Sequence, residues 1–134
     1  VELILKPACI VDASVVLAVL LAESSWREAA ELLPMAGIST ANLAEVATRL
    51  SRSGFEAGEI VDLLDTLSLH AIPLSRETAI AAGAMEAATK PLGLSLGDRI
   101  CLELARERSL PVYTSDRKWS LLPDAATRDI RQIR

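Results

Sequence analysis

A chain of 134 residues, 51% hydrophobic and 24% charged, has apolar material for about one core, so a single domain over residues 1–134 is expected. A net charge of −4 excludes a broad basic face for nucleic acid, and any nucleic-acid site has to be local. The longest uninterrupted apolar run, Val15 to Ala22, falls far short of the ~20 residues of a membrane span, and the expectation is a soluble, cytoplasmic protein.

In chain order, "PACIVD" opens as a short apolar run ending in an acid, the pattern of a buried parallel strand. Helical periodicity follows over Ser14–Glu23 and Ser25–Leu33, then, after room for one optional strand, over Thr40–Ser51. "SRSGFEAGE" marks a turn, and a further helix is predicted over Phe55–Leu69. "LHAIPL" is a weaker strand signal. Helices are predicted again over Glu77–Lys90 and Leu96–Arg108, followed by the strand "LPVYTSD", a short helix and a last weak strand, "RDIRQI". This alternation implies an α/β protein with a mostly parallel sheet covered by helices. The apolar positions Ile80, Ala81, Ala84, Met85 and Ala88 read as core packing or, alternatively, as a surface for a partner. Cys9 and Cys101 lack a C-x-x-C spacing and a nearby His, so they read as core thiols in a reducing cytosol rather than zinc or redox groups. His70 is the only histidine, which argues against Ser-His-Asp catalysis.

In open α/β sheets ligands gather at the carboxyl ends of the strands, where Asp12 and Asp116 both stand. Four acids are candidates, and each also has a structural reading. Asp12 fits an N-cap, and Glu45 fits a surface ion pair with Arg49 four residues on. Asp98 fits a capping box with Ser95, and Asp116 fits the cap of a short helix behind Thr114 and Ser115. The set is what carries chemistry. Two carboxylates about 4 Å apart repel by roughly 4 kcal/mol at an effective dielectric near 20, and a divalent cation relieves this at neutral pH. Oxygen donors without His or Cys favour Mg²⁺ or Mn²⁺ over zinc.

The segments "IVDAS", "NLAEV", "LSLGDRICLELA" and "LPVYTSD", in this order and spacing, resemble PIN-domain proteins, and within that family VapC-type toxin ribonucleases of toxin-antitoxin systems. The likeness runs from about Ala8 to Ile130. It implies a PIN-like α/β/α fold, Mg²⁺- or Mn²⁺-dependent endoribonuclease activity, homodimerisation, and neutralisation by a small VapB-like antitoxin. Carried over by position, the motif acids fall on Asp12, Glu45, Asp98 and Asp116, with hydroxyls at Ser14 and Thr114. In the reaction this implies, metal-assisted hydrolysis of an RNA phosphodiester, Asp12, Asp98 and Asp116 hold the metal while Glu45 orients water or a second ion. Ser14 and Thr114 fix the carboxylate rotamers. Arg49, Arg52, Arg99, Arg117 and Lys118 lie near these motifs as candidate RNA contacts. With so few aromatic residues there is little to stack on bases, and Trp119 is assigned to the core. The alternative function is a catalytically silent PIN-like module that binds protein.

Overall fold

The computed structural model describes residues 6–134, so residues 1–5 of the expected domain lie outside the described residues. Strands and helices alternate as β1 (Cys9–Val11), α1 (Ala13–Leu20), α2 (Trp26–Leu32), β2 (Ala36–Ser39), α3 (Thr40–Arg52), α4 (Ala57–Asp65) and β3 (His70–Ile72). They continue as α5 (Arg76–Ala84), α6 (Glu86–Thr89), α7 (Leu96–Arg108), β4 (Val112–Thr114) and β5 (Ile130–Gln132). The five strands form one parallel sheet in the order β3-β2-β1-β4-β5.

Period-two alternation decides which face each residue serves. Cys9 and Val11 of β1 enter one core with Val15 and Val16 of α1, Ala29 of α2, Ile38 of β2, and Val46 and Leu50 of α3. Ile10, between them, enters the other core with Val112 of β4, Trp119, and Cys101, Leu102 and Ala105 of α7. Burial on both faces makes β1 continuously apolar and gives three layers, α/β/α. Both cysteines are free, buried thiols, and Trp119 is fully buried, as expected.

Local chemistry explains where the elements depart from the periodicity. The optional strand exists, as β2, with all four residues buried. The helix predicted over Phe55–Leu69 shrinks to α4, whose start is fixed by a capping box between Glu56 and Glu59. The helix predicted over Glu77–Lys90 breaks at Met85 into α5 and α6. Arg99 of α7 supports this break, because its Nη1 donates to the carbonyls of Ala82 and Gly83 at 3.3 and 3.4 Å, satisfying groups that a helix end leaves open. The short helix expected after β4 is a 3-10 turn over Arg117–Leu121. On α5 the core side is Thr78 and Ala82; of the apolar stripe, Met85 packs against the core and Ala81 is half-buried, while Ile80 is 56% exposed and Ala84 and Ala88 face solvent, so the core reading is corrected for those three. Among the described residues no helix is long and apolar enough to cross a membrane.

The topology also places a crevice. The chain leaves β1 toward β2 and β3, then returns through α5–α7 to β4 on the opposite side of β1. This change of direction sets the loops following β1 and β4 side by side at the sheet's carboxyl edge, the place where ligands gather in such sheets. Asp12 ends one strand there and Thr114 the other.

Ile38 is fully buried in the central layer, so Ile38→Ala is expected to cost about 2–5 kcal/mol in urea unfolding. Ile80→Ser, on the open side of α5, is expected to stay within about 0.5 kcal/mol of the parent.

Candidate active site

Asp12 follows β1 as the N-cap of α1 and is only 5% exposed. Its Oδ1 accepts from the Ser14 hydroxyl at 2.5 Å and from the Val15 amide at 3.3 Å, while Oδ2 accepts from the Thr114 hydroxyl at 2.5 Å. Thr114, itself fully buried, accepts from the Asp116 amide at 2.9 Å, and Ser14 accepts from the Ser115 amide at 3.0 Å. These bonds stitch the loops after β1 and β4 together around one carboxylate. The cap reading and the site reading of Asp12 are the same geometry.

Asp98 arrives from the other side, in the first turn of α7. Ser95 and Asp98 form the predicted capping box: the Asp98 carboxylate accepts from the Ser95 amide at 2.9 Å, and the Ser95 hydroxyl accepts from the Asp98 amide at 3.1 Å. Both bonds lock the carboxylate at the positive end of a helix dipole.

Glu45 projects from α3 toward that same turn. Among the described residues it makes no ion pair with Arg49, contrary to the surface-pair reading. Its Oε1 accepts instead from Asn42 Nδ2 at 2.7 Å, and that same Nδ2 donates to the Gly97 carbonyl at 3.1 Å. The Glu45 carboxylate lies across Gly97, where an added Cβ would stand 2.5 Å from Glu45 Cδ and Oε2. Sequence reasoning missed Asn42 and Gly97. The available signals were Asn42 three residues before Glu45 on one helix face, and a Gly inside a helix, where it costs about 1 kcal/mol relative to Ala.

The electrostatics follow from this convergence. Burial pushes the Asp12 carboxyl up to about 6, with the Asp98 charge adding to the rise and the bonds from Ser14, Thr114 and Val15 opposing it. Partial desolvation against α7 raises Glu45 above the ordinary carboxylate value; Asn42 opposes this and Asp98 adds to it. Burial raises the Cys101 thiol well above its usual range, and the charges of Asp12, Asp98 and Glu45 raise it further. Cys101 stays protonated and offers no ligand.

Asp116 stands apart in its side chain. Its backbone joins the Thr114 relay, but its carboxylate caps the following turn through the Lys118 amide at 2.9 Å and faces Lys118 Nζ at 3.9 Å. Among the described residues, no three His, Cys, Asp or Glu side chains lie in an arrangement that would grip an ion as they stand. The donors at the crevice are nevertheless all oxygens, which suits a hard dication.

The basic candidates divide. Arg49 and Arg52 line an open groove of about 450 Å³ between α1 and α3 that Glu45 also walls. Arg117 borders a separate hollow of about 190 Å³ with Gln132 and Arg134. Arg99 is corrected as an RNA contact: it is buried, its guanidinium holds the end of α5, and it pairs with Glu86 at 2.9 Å.

A family model of the PIN domain matches residues 9–125. VapC20 of Mycobacterium tuberculosis, described as a sarcin-ricin loop cleaving toxin, superposes with a TM-score of 0.71 at 17% identity, covering 86% of this chain and 95% of that one. A chain of the DNA-bound VapBC of Salmonella typhimurium gives 0.70 at 20% identity, covering 96% and 98%. A chain of VapBC2 of Rickettsia felis, bound to a promoter DNA fragment, gives 0.69 at 20% identity, covering 93% and 98%. No curated protein matches by sequence. At such identities the structures speak for the fold, and the match over residues 9–125 speaks for the lineage: the chain belongs to the PIN domain family.

Proposed function

We propose that this protein is a Mg²⁺- or Mn²⁺-dependent endoribonuclease, the toxin of a VapBC-type pair, that acts in the cytoplasm. The observation that carries this reading is a buried Asp12 clamped by Ser14 and Thr114 at the carboxyl edge of the sheet, with Glu45 seated against Gly97, the residue before Asp98. Family membership and the VapBC neighbours support it.

Asp12 and Asp98 are the residues that would hold the ion; Asp116, whose backbone joins the Thr114 relay, would have to turn its carboxylate away from the Lys118 amide to join them. When bound, the dication supplies Lewis acidity, activating water and neutralising charge on the phosphoryl oxygens. Glu45, raised in pKa, orients the attacking water and accepts its proton. Ser14 and Thr114 hold the Asp12 rotamer. The RNA backbone runs along the groove past Arg49 and Arg52, with Arg117 as a further contact on the other side. A VapB-like antitoxin and a second copy of the chain are the proposed protein partners. Exposed apolar surface supports both, since α4 has no buried residue and Val61 and Ile80 are each 56% exposed.

Asp12→Asn and Asp98→Asn are expected to fold and to lose metal-dependent cleavage of RNA by more than about 100-fold, because partners one layer out are already worth about 10–100-fold. Undiminished cleavage by either variant, or cleavage by the parent that survives EDTA, would overturn the reading and leave a protein-binding module.

The Asp12 carboxyl, about 6 when folded against an ordinary 3.8, makes the folded state hold a proton that the unfolded chain releases. Without metal, this group's contribution to stability therefore falls as pH rises through that window. The stability of Asp12→Asn relative to the parent, measured in EDTA, is expected to grow by up to about 3 kcal/mol between about pH 4 and pH 7. Arg49→Ala and Arg52→Ala are expected to raise KM several-fold and to lower the slope of log KM against log salt by about 0.7 for each phosphate contact removed, with kcat nearly unchanged.

A further inference from the structure

Among the described residues Glu45 has no cap, no ion pair and no strand end to hold it, yet its carboxylate lies against Gly97 in the first turn of α7, next to Asp98. Two residues account for this. Asn42 is 1% exposed, and the two hydrogens of its amide nitrogen are directed at two acceptors on different elements, Glu45 Oε1 and the Gly97 carbonyl. Both partners can only accept, so the amide has to present its nitrogen to them. The remaining Oδ1 is buried and has no partner among the described residues. A buried orphan acceptor calls for an explanation, and here it is the consequence of aiming both hydrogens at the site. Gly97 supplies the room: any side chain there would occupy the space of the Glu45 carboxylate.

We infer that Asn42 and Gly97 are positioning residues that seat the Glu45 carboxylate beside Asp98, a role resting on the nuclease reading for its consequence but not for its geometry. The seat acts only through Glu45. The atoms a Cβ at Gly97 would meet are the far end of a flexible side chain, so Gly97→Ala displaces the carboxylate without breaking the backbone. Alanine also favours a helix over glycine, which offsets part of the cost of taking one acceptor from the buried Asn42 amide, so the fold should be kept.

The test compares Gly97→Ala and Asn42→Asp, which keeps the shape of the side chain but turns the donor into an acceptor, with Gly58→Ala, where an added Cβ meets nothing within 4 Å. Gly97→Ala is expected to stay folded with at most a modest fall in Tm, to lower kcat by about 10–100-fold and to leave KM within about twofold; Asn42→Asp should lower kcat similarly. In a Glu45→Ala background neither substitution should cost more, since both act through that side chain. A readout independent of activity is hydrogen exchange of the Asn42 side-chain amide by NMR. Exchange should be slow in the parent and in Gly58→Ala, and should speed up in Gly97→Ala and in Glu45→Ala. Parent-like turnover in Gly97→Ala, additive losses in the Glu45→Ala background, or unchanged Asn42 exchange would each overturn the inference. If the parent cleaves no RNA, the nuclease reading fails alone and the exchange experiment still decides whether the seat exists.

Discussion

Like charge held together by a fold is the constraint from which the rest of this molecule follows. Asp12, Glu45 and Asp98 come from a strand end, the middle of a helix and the start of another helix, and hydrogen bonds fix each of them: Thr114 binds Asp12, Asn42 ties Glu45 to the Gly97 carbonyl, and the Ser95 amide holds Asp98. Such groups separate unless something rigid opposes them. Here the opposition is a sheet whose central strand is buried on both faces, with β1 and β4 paired through Ile10 and Val112 directly beneath the crevice. Helix N-termini add amide donors and favourable dipoles at Asp12 and Asp98. The site is thus a property of the core as much as of its own residues.

For Asp12 and Asp98 the structural explanation holds, and it is compatible with the proposed role. Asp12 is a cap, and Asp98 belongs to a capping box. A cap fixes both the rotamer of a carboxylate and the direction of its free lone pairs, which is what a ligand or a base requires. The Ser14 and Thr114 hydroxyls complete the same task at Asp12 while joining two loops. Glu45 is the exception. It lies along the body of a helix, where no backbone amide is free to hold it, and so depends on a side-chain amide and on an absent Cβ.

A second theme is apolar surface left uncovered. α4 contributes only half-buried side chains to the core, and Phe55 and Leu63 border an open hollow of about 300 Å³. Ile80 on α5 and Leu96 beside the site are also exposed. A chain with this much apolar surface gains free energy by burying it against partners, which accords with the proposed assembly. It also gives α5 two duties, since its inner side is held by Arg99 while its outer side stays open.

From the sequence alone one could read the α/β alternation, the parallel strands ending in acids, and the caps at Asp12, Asp98 and Asp116, because each is written in local periodicity or in spacing of a few residues; the four candidate acids as a set rested on family resemblance instead. Strand order, and therefore the crevice between β1 and β4, depended on long-range pairing that local pattern does not encode. The same holds for Arg99, whose charge reads as surface until α5 packs over it, and for Ile80, whose outward turn depends on which side of α5 meets α7. Asn42 and Gly97 acquire meaning only when α3 and α7 touch, since 55 residues separate them in the chain. Propensity and capping are short-range interactions, whereas the seating of a carboxylate is decided by which distant backbone happens to lie against it.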